Sequence, residues 1–164
     1  NLISWNAIIA AYCQNGMGKQ SLLLYEQMHL DNTRPDDVTF LSILSACSHA
    51  GLLEEGLQIF NSMKCDYHIT PNVDQYNCMI DLLGRVGLKD EAEALIYKMP
   101  VDPTVVSWMT LLGACRNQDD IEGGERATER ILRLDVERTA PYVLLSNMYA
   151  NSLKLDSIQL VNLV

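Results

Sequence analysis

The chain is poor in positive charge: 12 Lys and Arg stand against 21 Asp and Glu, for a formal net charge of −9 over 164 residues. Residues 1–104 hold 6 Lys and Arg against 13 Asp and Glu, and residues 105–164 hold 6 against 8. A protein that grips nucleic acid mainly by neutralising phosphates is expected to be basic, and this one is not. No apolar run approaches the roughly 18 residues of a membrane-crossing helix. No Gly-, Ser- or Pro-rich linker divides the chain.

Cysteine pairing is also missing. Cys13, Cys47, Cys65, Cys78 and Cys115 are odd in number, widely spaced and form no C-x-x-C, so neither a disulfide framework nor a zinc site is indicated. Cys13, Cys47 and Cys115 instead sit seven or eight residues after an aromatic, the behaviour of small apolar core residues. A reducing compartment is the expected setting. His29, His49 and His68 have no partners at metal-ligand or catalytic spacing. The chain contains no phosphate-binding G-x-x-x-x-G-K-[ST] loop and no G-x-S-x-G elbow. The pair H-x-E and P-C-x-x-C, which a zinc deaminase requires, is lacking too. The chain is therefore expected to be no enzyme and to need no cofactor or metal. It opens inside a helix pattern, without an initiator Met, signal peptide or basic amphipathic leader, and is expected to be a fragment.

What the chain does have is a repeat. Trp5, Phe40, Tyr76, Trp108 and Tyr142 follow one another at steps of 35, 36, 32 and 34 residues. Gly16, Gly51 and Gly87 keep the steps of 35 and 36, as do Met28, Met63 and Met99. A period in this range without strand-like alternation predicts an all-α fold, a right-handed α-solenoid of about five helix-turn-helix repeats.

Within the first unit, Ile3, Trp5, Ile8, Ile9 and Tyr12 recur at helical spacing and predict a broad apolar face. Asn15-Gly16 ends that helix, Gly taking the left-handed conformation at little cost. Leu22, Leu23, Tyr25 and Met28 predict the apolar face of a second helix, which Pro35 stops and after which Asp36 is placed to cap the next. The second and third units repeat the plan. The fourth lacks its turn glycine, and Asp119 or Asp120 is expected to cap the helix that follows. The aromatics and methionines fall in the apolar phase, so they are expected between helices as core and not as platforms for stacked bases. Glu54, Glu55, Asp90, Glu91 and Glu93 lie early in second helices, where they complement the helix dipole. Glu122 with Arg126, and Glu129 with Arg133, have the i, i+4 spacing of surface ion pairs.

Tetratricopeptide units share this length but hold close to 34 residues. The unequal steps here, and the closures Pro35-Asp36 and Pro71-Asn72, fit a different family. The stretches Ser4-Trp5-Asn6-Ala7-Ile8-Ile9, Val38-Thr39-Phe40 through Ser48-His49-Ala50-Gly51-Leu52, and Tyr76 through Asp81-Leu82-Leu83-Gly84-Arg85 resemble pentatricopeptide repeats of the plant PLS class. Leu112-Gly113-Ala114-Cys115-Arg116 and Pro141-Tyr142-Val143-Leu144-Leu145-Ser146-Asn147 resemble the two E-type extension motifs that follow the last repeats. The resemblance covers residues 2 to about 150. It implies three repeats at about 2–36, 37–72 and 73–104, then extension motifs at about 105–138 and 139–164.

The resemblance also implies a function. In that family each repeat offers one RNA base the residue after the anchoring aromatic and the residue that closes the repeat. Carried over, the pairs are Asn6 with Asp36, Leu41 with Asn72, and Asn77 with Thr104. An amide both donates and accepts, so it suits a base edge, and the Asn/Asp pair implies uracil. Leu41 departs from a polar reader. The whole protein would be an organellar C-to-U RNA-editing specificity factor of a mitochondrion or chloroplast. Its partners would be single-stranded RNA and a cytidine deaminase module or editing helper protein, with no membrane. The acidic balance of residues 1–104 keeps an alternative open: a helical-repeat module that binds a partner protein instead of RNA.

Overall fold

A computed structural model describes the backbone of residues 1–161 and the side chains of residues 1–153. The second extension motif expected at about 139–164 therefore ends partly outside the described residues. The described chain is all-α and packs as two compact units, Asn1–Asp102 and Pro103–Val164. The first holds α1 (Leu2–Gln14), α2 (Gly18–Leu30), α3 (Asp37–Ala50), α4 (Leu53–Cys65), α5 (Val73–Arg85) and α6 (Lys89–Lys98). The second holds α7 (Val105–Asn117), α8 (Ile121–Leu134) and α9 (Ala140–Val161). Among the described residues this makes four helix pairs and the first helix of a fifth.

One local grammar builds every pair. The opening helices α1, α3, α5 and α7 begin at Asn1, Asp36, Asn72 and Thr104, each four residues before its aromatic. The third residue in from each cap takes part: Ser4 N–H donates to Asn1 Oδ1 at 3.0 Å, and the backbone N–H groups of Asn72 and Thr104 donate to Gln75 Oε1 and Ser107 Oγ at 2.8 and 3.2 Å. These contacts satisfy amides that a helix start leaves unpaired.

Each opening helix then closes by one backbone bond spanning five residues. Met17 N–H donates to Tyr12 O, Leu52 to Cys47 O and Leu88 to Leu83 O, at 2.9, 2.9 and 2.8 Å. This closure needs a residue at positive φ, supplied by Gly16, Gly51 and Gly87 at 72°, 67° and 91°. In the fourth pair Asp119 takes that place at φ 53°, and Asp120 N–H donates to Cys115 O at 2.9 Å. Asp120 is the cap of α8, its Oδ1 accepting from Gly123 N–H at 3.1 Å. Of the two aspartates proposed for that role, one turns the chain and the other caps.

In the first unit α3 packs directly against α1 on one side and α5 on the other, whereas the closing helices pack on opening helices and, among the described residues, not on each other. Two close approaches set the spacing. Gly18 of α2 lies where an added Cβ would stand 2.7 Å from Ala50 Cβ and 2.8 Å from Ala46 O of α3. Ser48 of α3 donates to Asp81 of α5 at 2.5 Å, and Asp81 also holds Arg85 at 2.8 Å. The core runs through Ile9, Met28, Phe40, Leu44, Met63 and Leu82, all fully buried. Within it Phe40 meets Tyr25 and Tyr67 edge-on, with centroids 6.1 and 5.2 Å apart.

Buried Cys13, Cys47 and Cys115, and buried Met28, Met63 and Met99, meet expectation. Among the aromatics Phe40 and Trp108 are buried, while Trp5 and Tyr76 are half-buried and Tyr76 packs edge-on against Phe60 at 5.1 Å. Three expectations are corrected. Ile3 is 80% exposed and Ile8 also faces out, because α1 packs on only α2 and α3 and a narrower stripe suffices. Leu23 is exposed for the same reason on α2. Tyr142 is 55% exposed, since α9 turns Met148, not Tyr142, toward Gly124 of α8. The Glu129–Arg133 pair forms at 2.6 Å on the surface, where such a bond contributes little.

Candidate nucleic-acid interface

Because α1, α3 and α5 lie side by side in the same register, the residues following their aromatics form a row: Asn6, Leu41 and Asn77, all half-buried. At the first position the structure brings the expected pair together. Asn6 Nδ2 donates to Asp36 Oδ1 at 2.9 Å. Thr39 completes a three-residue network. Its backbone N–H and its hydroxyl each lie 2.9 Å from Asp36 Oδ1, and the hydroxyl lies 2.5 Å from Asn6 Oδ1. The one hydroxyl proton serves one of these acceptors at a time.

The network fixes the chemistry of Asn6. A carboxylate only accepts, so Asp36 forces the amide to point its Nδ2 inward and settles which way round the side chain stands. Nδ2 keeps a second proton and Oδ1 a second lone pair, giving one donor and one acceptor side by side. Partial burial pushes the Asp36 carboxyl upward, but hydrogen bonds from the Thr39 amide, the Asn6 amide and the Thr39 hydroxyl outweigh it and hold the group below the usual carboxylate range. Asp36 is thus anionic at neutral pH and keeps the amide oriented.

The other expected pairs are arranged differently. Leu41 has no polar atom to offer and lines a cavity between the opening helices. Asn72 is exposed and its Oδ1 accepts from Asp74 N–H at 2.8 Å, so it acts as the cap of α5. Asn77 stands on α5 in the first unit, and Thr104 is an exposed cap of α7 in the second. Asn6 and Asp36 join through a direct bond.

The sequence of the repeats matches known proteins over the same span. A profile of the PPR repeat family matches residues 1–49, and the PPR repeat profile matches residues 38–67 and 76–102. The chain belongs to the pentatricopeptide repeat family.

Among curated PPR relatives, a putative pentatricopeptide repeat-containing protein of Arabidopsis thaliana is 48% identical over 153 residues, covering 92% of this chain and 15% of the relative. A mitochondrial one from the same plant is 45% identical, covering 97% of this chain and 25% of its own length. A chloroplastic one is 43% identical, with coverages of 93% and 20%. The chain spans about a quarter or less of these relatives. The fold matches the PPR10 protein, known from maize, in complex with an 18-nucleotide psaJ RNA element: the TM-score is 0.80 at 22% identity, covering 93% of this chain and 23% of that one. It also matches the PPR domain of Arabidopsis thaliana protein-only RNase P 1 in complex with tRNA, with TM-score 0.73 at 15% identity and coverages of 96% and 85%.

Two features of the PPR row were not read from sequence. Thr39 counts in the sequence only as part of the stretch Val38-Thr39-Phe40 that carries the resemblance, yet it ties Asn6 to Asp36. Its place three residues after a capping Asp was the available signal. Ile3, assigned to the core, stands exposed one turn before Asn6 on the same face of α1.

Proposed function

We propose that this chain is the RNA-reading portion of an organellar C-to-U editing specificity factor, with its second unit coupling RNA recognition to a cytidine deaminase or helper protein. The observation that carries the reading is the Asn6 amide held in one orientation by Asp36 and Thr39. Its remaining donor and acceptor are complementary to the N3–H and a carbonyl of uracil, so the first repeat selects uracil over bases with the opposite pattern. The row Asn6, Leu41, Asn77 sets three successive base positions, and Asp36, Asn72 and Thr104 close the repeats that present them. Residues from about 105 onward act as E-type extension motifs. Mitochondrial or chloroplastic relatives support an organellar setting.

The test is binding of short single-stranded RNAs with uracil or another base at one position. Weak binding with a uracil preference that Asn6→Ala abolishes is expected. Tight binding indifferent to base would refute the assignment.

The acidic balance of residues 1–104 favours a second reading, a module that docks a protein. Capture of a specific organellar protein by residues 105–164 supports deaminase or helper coupling. Capture through residues 1–104 with no RNA binding supports the second reading instead.

A further inference from the structure

A cavity of about 330 Å³ opens between α1, α3 and α5 in the first unit. It lies on the reader row. Cys13 is two turns beyond Asn6 on the same face of α1, Ser45 is one turn beyond Leu41 on α3, and Cys78 follows Asn77 on α5. Leu41, Cys13 and Cys78 form apolar walls, while Gln14, Ser42 and Ser45 add an amide and two hydroxyls. Ser42 gives its proton to Val38 O at 2.9 Å and so presents an acceptor. Burial pushes the Cys78 thiol up to about 12, so this wall is neutral.

The chemistry of this lining narrows the ligand. No carboxylate and no cation lines the cavity, so it has nothing to hold a phosphate or a charged side chain. Its volume falls near the lower end of the roughly 300–1,000 Å³ of small-molecule sites, and its apolar walls with a few polar groups fit a flat heterocycle with a polar edge. The position of the cavity supplies the source, because a strand laid along Asn6 and Asn77 passes its mouth. Leu41, the row's middle member, cannot hydrogen-bond a base but does form part of the wall.

We infer that this cavity is a nucleobase pocket, in which the second repeat receives a base by enclosure instead of reading it edge-on. This rests on α1, α3 and α5 being the RNA-facing row. The base slides between Leu41 and the two thiols, and the Ser45 hydroxyl and Gln14 amide meet its polar edge. The pocket selects by shape and tolerates more than one base, whereas Asn6 selects by hydrogen bonding.

The experiment compares the intact chain with Ser45→Leu, which fills the cavity, and Ser45→Ala, which keeps its volume. Each is titrated with a short uracil-containing RNA and with the same RNA made abasic at the nucleotide beside the uracil, on either side in turn. The wild type should lose roughly tenfold in affinity for one abasic RNA, equivalent to about 1.4 kcal/mol. Ser45→Leu should bind the intact RNA that much more weakly and lose nothing further with the abasic one, and Ser45→Ala should behave nearly as wild type. An equal abasic loss in wild type and Ser45→Leu, or none in either, alongside an Asn6-dependent uracil preference, overturns the pocket and leaves the RNA reading intact. Free uridine and adenosine, followed by amide NMR shifts at Ser45 and Cys78, separate the remaining cases. Nucleoside shifts lost in Ser45→Leu without RNA binding support the pocket and reject the RNA reading, and silence in both assays rejects both.

Discussion

The side-chain amide of Asn6 donates to the carboxylate of Asp36 across 2.9 Å, linking the opening helix of one repeat to the cap of the next. Asp36 therefore serves two helices at once, since the same Oδ1 receives the Thr39 amide.

Removing the carboxylate should separate these roles. Asp36→Ala loses the cap of α3 and is expected to cost about 0.5–2 kcal/mol in denaturant unfolding, along with the uracil preference. Asp36→Asn caps about as well and should leave stability nearly unchanged. The amide oxygen that caps α3 can still accept from Asn6 but carries no charge, so the grip on the Asn6 amide weakens and the uracil preference should fall all the same. Competition between uracil- and cytosine-containing RNAs reads the second effect.

Thr39→Val keeps the shape of a fully buried side chain but strips its hydrogen bonds. It should destabilise the chain by about 1–3 kcal/mol, because polar groups of Asp36 and Asn6 lose a partner. Thr39→Ser should restore most of that loss. Thermal and urea unfolding of the two variants decide the matter.

Two glycine substitutions should act in opposite directions. At Gly18 a methyl group would meet backbone Ala46 O at 2.8 Å, so Gly18→Ala must push α2 away from α3, at a cost of about 1–3 kcal/mol. At Gly113, inside α7, nothing lies within 4 Å, and Gly113→Ala should stabilise by about 0.5–1 kcal/mol through helix propensity alone. Urea midpoints of the two variants should bracket the wild type.

Acid should weaken the fold through His29 before it reaches Asp36. Burial lowers the His29 pKa below its ordinary 6.5, and its ring meets Tyr25 edge-on at 4.4 Å. The unfolded chain then binds more protons than the folded one, so stability falls as pH drops from 6.5 toward the folded value and levels off below it. His29→Gln should flatten that slope in urea midpoints measured between pH 7 and 5. Asp36 acts only lower: its stabilising contribution is complete above the ordinary 3.8 and is lost as pH falls through its depressed folded value.

Binding should also respond weakly to salt. Each phosphate contact on a single strand adds about −0.7 to the slope of log K against log salt, and the first unit holds few cations. A slope shallower than about −2 is expected, and a steeper one would indicate a phosphate-gripping surface elsewhere.

The sequence made the helix pairs legible because their punctuation is chemical. Gly16, Gly51 and Gly87 recur where a positive φ is needed, and Asp36 and Asn72 recur where a helix start needs an acceptor. Asp119 hid the same turn because Asp reaches that conformation less often than Gly. Burial was less legible. Ile3, Ile8 and Leu23 share the helical phase of true core residues, and periodicity alone cannot tell how many neighbours a helix has. The Asn6–Asp36 pairing was visible as two residues, but the bond between them depends on α1 and α3 packing side by side. The cavity beside Leu41 left no sequence signal, being made of gaps between three helices.

The shared oxygen of Asp36 makes that residue a joint between two repeats. Truncating it changes both what the first repeat selects and how readily the second repeat's helix starts, whereas Asp36→Asn or a change at Asn6 recodes the first repeat and leaves that helix start in place. Redesign of specificity at this position therefore turns on the joint, not the repeat, as the interchangeable part.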